Sequence, residues 1–329
     1  MGIKNLGKLI NELKITKFLN IQEFSSKTIA IDSSFIVYKF WYVVLLRELK
    51  NKNVLLEEIE EAQLINKFIY HLVRFIKKLH KFDIEPIFVF DGQPPQEKLE
   101  VIDSRRTVRE KSKKEFEEIR SKDIKTEETK SQAEKKLLQS LPVPMFNVIT
   151  SMKILFDALG VQYYVARGEA EKLCSMLVIN KVADAVYSSD TDNLALGCSI
   201  LITEIRGDVF KTIFLEDLLK KLDLDYDNFK FVCILSGCDY NKNIPRVGFK
   251  KIKKLLENHE YNRVTLMEAL TKKYGSEAIE NLKIEKCLKL FSRSEVNECT
   301  EICKNSTKTN FIELEKVARI FNLNIEERA

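Results

Sequence analysis

The chain has 329 residues, 45% of them hydrophobic and 31% charged, with a formal net charge of +5; this balance fits one sizeable buried core with a smaller appended region. Its longest apolar runs, such as Trp41–Leu46, fall far short of the ~20 residues that a membrane-spanning helix needs. Seven cysteines contain no Cys-x-x-Cys pair and the three histidines (His71, His80, His259) are scattered, which argues against a zinc enzyme and leaves oxygen ligands for any metal.

Lys4 and Lys8 interrupt any apolar leader, and Leu6 breaks the myristoylation pattern that Met1-Gly2 would begin. A soluble, intracellular protein with no membrane association is expected. The pairs Cys233/Cys238 and Cys299/Cys303 are read as buried small hydrophobes or helix-face residues.

In chain order, short β-branched and aromatic runs alternate with longer helical patterns, which predicts an α/β fold with a mainly parallel sheet. Strands are expected at Thr28–Ile31, Pro86–Phe90, Gln162–Val165, Ala185–Tyr187, Ile200–Glu204 and Phe210–Phe214. Between the first two, Leu64, Phe68, Leu72 and Phe75 recur at helical spacing and predict a helix over about Glu60–Phe82. Another is expected at Phe146–Leu159, closed by Gly160. From Lys98 to Ser140 the chain holds 13 Lys+Arg and 10 Asp+Glu with no Pro or Gly. That insert is far longer than the usual ~2–6 residue connection, and reads either as a solvated helical segment or as a basic lid over a site at the strand ends. After about Asp239 the pattern is mainly helical. Six basic residues and no acid fall between Lys242 and Leu256, where a solvated helix face is the plain alternative to a nucleic-acid grip.

The acids fall in a regular way. Asp32 ends the first strand and Asp91 the second. Glu169 and Glu171 open the helix after the third, Asp190 and Asp192 follow the fourth, and Asp239 follows the apolar run Phe231–Leu235. One acid after a strand usually caps a turn or helix. Four consecutive elements delivering acids to one sheet edge place them where open α/β sheets build sites. Carboxylates gathered there repel one another unless cations neutralise them. Hard ions such as Mg²⁺ or Mn²⁺ suit such ligands, and two ions ~3.5–4 Å apart form the clamp of in-line phosphodiester chemistry. No Gly-x-x-x-x-Gly-Lys-Ser/Thr loop is present, which weakens a nucleotide-hydrolysing alternative.

With these residues in place, the chain resembles the flap endonucleases, structure-specific 5′ nucleases of DNA replication and repair. The resemblance rests on Met1-Gly2-Ile3-Lys4-Asn5-Leu6, Ala30-Ile31-Asp32-Ser33-Ser34, Val89-Phe90-Asp91-Gly92-Gln93-Pro94-Pro95, Glu169-Ala170-Glu171, Asp190-Thr191-Asp192 and Gly237-Cys238-Asp239-Tyr240, in that order. It implies a PIN-like 5′ nuclease fold with a helical arch insert and a helix–two-turn–helix element. The implied division is 1–97 and 145–240 as nuclease, 98–144 as gateway and cap, and 241–329 as the DNA-gripping helical region. Asp32, Asp91, Glu169, Glu171, Asp190, Asp192 and Asp239 match the family's metal-site acids, the earlier ones serving one metal and the later aspartates a second. The cofactor implied is a pair of Mg²⁺ ions, with Mn²⁺ as a substitute.

The same resemblance gives Lys98 and Arg105 the role of gateway cations that steer the scissile phosphate and stabilise its developing charge. Tyr38 matches a tyrosine that stacks on a base, against the alternative of a core aromatic beside Phe35 and Trp41. Gly2, once Met1 is removed, would bring its amino terminus near the site. Arg246, Gly248, Lys250 and Lys251 fall in the turn and helix that grip duplex backbone and hold a K⁺ ion through carbonyl oxygens. Here the chain departs from the pattern, since Arg246 stands where the family's turn has its first Gly; that puts the K⁺ site and the turn's geometry in question.

The implied reaction is phosphodiester hydrolysis near a single-strand/duplex junction, leaving a 5′-phosphate and a 3′-hydroxyl. The partner is branched or flapped DNA, acted on by a monomer in the nucleus or, for a viral protein, where viral DNA replicates. A sliding clamp is a further partner of the family, although no Gln-x-x-hydrophobic-x-x-aromatic-aromatic peptide occurs in this sequence. The rivals are a junction resolvase or 5′ exonuclease of the same superfamily, a non-catalytic DNA-junction protein, and an RNA-directed nuclease.

Overall fold

The computed structural model describes residues 3–51, 60–93, 99–121, 136 and 143–323, without the side chains of 49–51, 99–102, 105 and 119–121. Its elements in chain order begin with α1 (Leu6–Leu13), β1 (Lys17–Asn20), β2 (Thr28–Asp32), α2 (Ser33–Asn51), α3 (Glu61–Lys81), β3 (Glu85–Phe90) and α4 (Leu99–Ser121). They continue with α5 (Met145–Leu159), β4 (Tyr163–Ala166), α6 (Ala170–Ile179), β5 (Ala185–Tyr187), α7 (Asp192–Ala195), β6 (Ile200–Arg206) and β7 (Val209–Phe214). The last part comprises α8 (Leu215–Leu222), α9 (Tyr226–Ser236), α10 (Phe249–Asn258), α11 (Arg263–Tyr274), α12 (Ser276–Glu280), α13 (Ile284–Leu290), α14 (Val296–Cys299), β8 (Thr300–Lys304) and α15 (Phe311–Ile320).

Among the described residues the strands form one eight-stranded sheet in the order β1-β7-β6-β5-β2-β3-β4-β8. Its centre is parallel: β2 pairs with β3 and β5, and β5 with β6. The sheet is nevertheless mixed, because β6, β7 and β1 pair antiparallel. A two-residue link joins β6 to β7, with Gly207 at φ +52°; so short a link between paired strands can only make a hairpin. All six expected strands are present within a residue or two of their expected bounds, as are the helices α3 and α5. Gly160 closes α5 at φ +72°, and a Cβ there would lie 2.0 Å from the Thr307 carbonyl oxygen. The edge strands β1 and β8 were not anticipated.

The chain divides into two compact units. The first comprises Met1–Asp32, Phe82–Lys98 and Tyr164–Cys303; the second comprises Ser33–Lys81, Leu99–Tyr163 and Lys304–Ala329. The first has its core where β2, β3, β5 and β6 meet α1, α6 and the helices from α8 to α14. Leu6, Ala30, Val89, Leu173, Val186, Leu201 and Phe229 are all buried in this one cluster. Complete burial of an aliphatic or Phe side chain contributes roughly 1.5–3 kcal/mol. Leu6, Leu9 and Ile10 thereby dock α1, and with it the backbone at Ile3. The second unit is helical: α2 packs on α3, α3 on α5, and α15 on α5. Phe68 and Leu72 of α3 are fully buried there, as the helical spacing requires. α4 belongs to this unit and buries Phe116 and Ser112.

Candidate metal centre

The parallel register brings the acids level. Asp32, the last residue of β2, lies opposite Val89 of β3, and Ile31 lies opposite Tyr187, the last residue of β5. Three neighbouring strands thus end together, so Asp32, Asp91 and the Ser188–Asp192 segment leave the sheet at one edge. Gly92 makes the approach of the next element possible. A Cβ there would lie 2.0 Å from the Ala166 carbonyl oxygen, and its N–H donates to the Gly168 carbonyl oxygen at 2.7 Å. The loop after β3 is thereby seated on the end of β4, and Asp91 Oδ1 accepts the N–H of Ala170 at 2.8 Å. Asp91 therefore meets the first turn of α6, where a negative group is favoured by the helix dipole.

Hydrogen bonds link Asp32, Asp190 and Asp192 in one group and Glu169 and Glu171 in another. Ser188 Oγ donates to Asp32 Oδ2 at 3.1 Å and accepts the N–H of Asp190 at 3.2 Å. Asp190 Oδ1 accepts the N–H of Asp192 at 3.0 Å. The Tyr240 hydroxyl donates to Glu169, and Glu171 Oε1 lies 3.3 Å from the same hydroxyl. Among the described residues Glu171, Asp190 and Asp192 each offer a carboxylate oxygen within 4.8 Å of the others, a group that could hold a metal ion.

Asp192 carries the electrostatic cost of this gathering. It is 1% exposed; Oδ1 accepts the N–H of Ile3 at 2.6 Å, while Oδ2 is buried with no hydrogen-bond partner among the described residues. Burial pushes its carboxyl well above the usual range, Asp190 and Asp239 add to the push, and the Ile3 N–H opposes it. A buried carboxylate oxygen with no donor, beside two more carboxylates, is the ligand set that a hard divalent cation satisfies. The residues fit Mg²⁺ or Mn²⁺.

Of the seven acids expected from the sequence, the structure thus clusters Glu171, Asp190 and Asp192 tightly. It places Asp32, Asp91 and Glu169 on their hydrogen-bonded rim and sets the charge of Asp239 against Asp192. Three contributors went unassigned in the sequence. Tyr240 stands beside Asp239 in the quoted Gly-Cys-Asp-Tyr block, so adjacency was a usable signal. Ser188 precedes the aspartates in the same way. The N–H of Ile3 is a backbone group and leaves no mark in a side-chain pattern.

Gly2 and Lys98 lie outside the described residues, and Arg105 lies in α4 without a described side chain. Tyr38 is 53% exposed on α2, whereas Trp41 is buried, so the core-aromatic alternative for Tyr38 does not hold. Arg246 adopts φ +63°. The residue therefore takes a left-handed conformation, at a cost of about 1–2 kcal/mol for a residue with a Cβ. Val247 N–H donates to the Ile244 carbonyl at 3.0 Å and closes this turn. Gly248 caps the start of α10, whose Phe249, Ile252 and Leu256 face the core while Lys250 and Lys251 are exposed. A cleft of about 350 Å³ between α1 and α10 is lined by Lys8, Glu12, Gly248, Lys250 and Lys251, with Lys250 paired to Glu12 at 2.5 Å. Cys233 and Cys238 are buried, as expected. Cys303 is instead exposed on β8, because the chain turns from α14 into an edge strand there. No described helix is long and apolar enough to cross a membrane.

Comparisons with known proteins agree with this geometry. The XPG N-terminal domain family matches residues 1–112, and the XPG I-region matches residues 160–239. Flap endonuclease 1 of Theileria annulata is 31% identical over 265 residues, covering 79% of this chain; the chain spans about half of that relative's length, 50%. Flap endonuclease 1 of Methanococcus aeolicus is 30% identical over 263 residues, covering 78% of this chain and 76% of that protein. The catalytic core of Rad2 in complex with DNA substrate superposes with a TM-score of 0.64 at 18% identity, covering 97% of this chain and 93% of that one, and shares the fold. The acids of the XPG N and I segments meet at the carboxyl edge of one sheet, and with these matches the chain belongs to the flap endonuclease family.

Proposed function

We propose that the chain is a structure-specific 5′ nuclease that cleaves DNA phosphodiesters near single-strand/duplex junctions, in replication and repair. The observation that carries this reading is the carboxylate group of Glu171, Asp190 and Asp192, the first and last buried and Asp190 half-buried, with Asp192 Oδ2 lacking a donor among the described residues. Its members stand in the motif order of the family. The protein groups have separable tasks. Asp190 and Asp192 hold one rim of the site through their shared backbone bond, and Asp91 fixes the start of α6 so that Glu169 and Glu171 face the same edge. When bound, a pair of Mg²⁺ ions supplies charge stabilisation for the attacking and leaving oxygens. Mn²⁺ has the same ligand preference and serves as a substitute.

By their match to the gateway motif, Lys98 and Arg105 are assigned to steer the scissile phosphate, and Gly2 is assigned a place near it. Tyr38 is assigned to stack on a base, which its exposure supports. Residues 98–144 would then be the arch, residues 1–97 and 145–240 the nuclease, and residues 241–329 the duplex grip. Arg246, Gly248, Lys250 and Lys251 present positive charge and a helix start to a phosphate backbone, a sequence-independent contact. The left-handed turn at Arg246 supports a carbonyl arrangement of the family's kind, and K⁺ is its proposed ligand. The working form is a monomer in the nucleus, or at the site of viral replication for a viral protein, with a sliding clamp as a further partner.

The test is cleavage of an end-labelled double-flap DNA in Mg²⁺ and in chelator, mapped to the nucleotide, beside nicked duplex, four-way junction and RNA-flap substrates. A cut within a nucleotide or so of the junction, dependent on Mg²⁺, is expected. Preferential cutting of the four-way junction would move the assignment to a resolvase, RNA preference would move it to an RNA nuclease, and no cutting with intact binding would leave a junction-binding protein.

A further inference from the structure

The residue after Asp239 makes contacts that a core tyrosine does not need. Tyr240 is 9% exposed, and its hydroxyl donates to Glu169 with Glu171 Oε1 at 3.3 Å. One phenol therefore addresses both carboxylates that α6 sends to the site. These two acids are only two residues apart at a helix start, Glu169 at the cap and Glu171 in the first turn.

The surroundings hold this hydroxyl in place. The Tyr240 ring meets Phe291 edge-on, with centroids 5.8 Å apart at 74°. On the other side Asn241 is buried, and its side chain bonds to backbone and to the Cys238 thiol, which donates to Oδ1 at 3.3 Å. Its Oδ1 accepts the N–H of Cys238 at 2.9 Å, and its Nδ2 donates to the carbonyls of Ile234 and Leu282, each at 2.8 Å. The segment from Cys238 to Asn241 is thus tied to α9 at one end and to the residues before α13 at the other. A rigidly held donor aimed at ligand carboxylates is the arrangement by which a neighbouring group sets ligand orientation and metal affinity.

We propose that Tyr240 is a positioning residue of the metal centre: its hydroxyl, braced by Asn241 and Phe291, fixes the mutual orientation of Glu169 and Glu171 and so sets the affinity for the divalent cation. This rests on reading the acid cluster as a metal centre. The phenol engages one oxygen of Glu169 and approaches one of Glu171, the acid that clusters with Asp190 and Asp192. It neither donates its proton in the reaction nor touches the reacting atoms.

The test uses Tyr240→Phe, which removes only the hydroxyl and keeps the ring against Phe291, and Tyr240→Leu, which removes both. Mn²⁺ binding to the DNA-free protein is followed by calorimetry, with thermal unfolding in chelator and the Mg²⁺ dependence of flap cleavage measured beside it. The expectation is a Mn²⁺ dissociation constant raised about tenfold or more in Tyr240→Phe. The half-saturating Mg²⁺ should rise in parallel, DNA affinity should stay unchanged, and cleavage should recover at high Mg²⁺. Mn²⁺ affinity within twofold of wild type for Tyr240→Phe, with loss only in Tyr240→Leu, would show that the ring packs and the hydroxyl does nothing. If the wild type takes up no Mn²⁺, the metal-centre reading itself fails, a result distinct from either.

Discussion

Two regions of the first unit carry the proposed function, and they are built on opposite terms. The acid centre draws on six separated segments, from Ile3 to Tyr240, and its members are locked by buried or half-buried hydrogen bonds. The basic turn before α10 is one continuous stretch, with Arg246, Lys250 and Lys251 exposed around a single left-handed turn. Like charges that are gathered and buried destabilise the fold unless a counter-ion joins them, so that region has a strong requirement for a specific partner. Like charges spread on the surface are screened by solvent and salt, and cost the fold little. The first arrangement suits chemistry at a defined position; the second suits adhesion to any duplex.

The sharpest way to break this comparison is Asp190→Ala. It removes one corner of the buried cluster and the acceptor for the Asp192 N–H, and flap cleavage should fall by about a thousandfold or more. Binding of the same flap DNA, measured by fluorescence anisotropy in Ca²⁺ or chelator, should change by less than about threefold, since the grip lies elsewhere. Near-normal turnover in Mg²⁺ would remove the acid centre from the chemistry.

Asp192→Asn addresses the stability cost of the same region. The folded carboxyl is held well above its usual value, chiefly by burial. Its contribution to stability is therefore fully present below the unfolded value near 4 and is lost as pH rises through the folded one. In chelator at neutral pH, Asp192→Asn should raise stability to denaturant by about 1–2 kcal/mol, with the gain vanishing toward pH 4. The wild type should gain more from added Mg²⁺ than the variant does. An unchanged apo stability at neutral pH would mean that the buried oxygen has found another partner.

Arg246→Gly is the smallest effect and belongs to the other region. Relief of the left-handed strain at φ +63° should add about 0.5–1 kcal/mol of stability. Loss of the cation should weaken binding to duplex DNA and lower the slope of affinity against salt by about one. Cleavage at saturating DNA should be unaffected. A fall in turnover with unchanged affinity would place Arg246 in the chemistry and erase the division between the two regions.

The legibility of the molecule follows the same division. Strands buried on both faces, such as β2, β3 and β5, could be read from their apolar runs, because burial fixes their composition. The edge strands could not. Lys17–Asn20 and Thr300–Lys304 are largely exposed, carry no alternating pattern, and are strands only because β7 and β4 lie beside them. The antiparallel pairing of β6 with β7 depended on a two-residue link, a feature that strand-by-strand reading passes over. At Arg246 the departure from glycine was visible in the sequence, while its consequence was not, since neighbouring packing decided that the left-handed turn would be kept.

For the acid centre, residue type and position after a strand were enough to nominate Asp32, Asp91, Glu169, Glu171, Asp190 and Asp192, because carboxylates at strand ends share one edge; Asp239 follows helix α9 and was nominated from the apolar run before it and the motif it stands in. Their partners were set by the tertiary structure alone. The N–H of Ile3 reaches Asp192 from 189 residues away, and Tyr240 reaches Glu169 and Glu171 from the far end of α9. Such contacts are fixed by how helices dock, which depends on the whole core. The sequence by itself determined which charges come together; the packing of α1, α6 and α9 around the sheet decided how those charges are held.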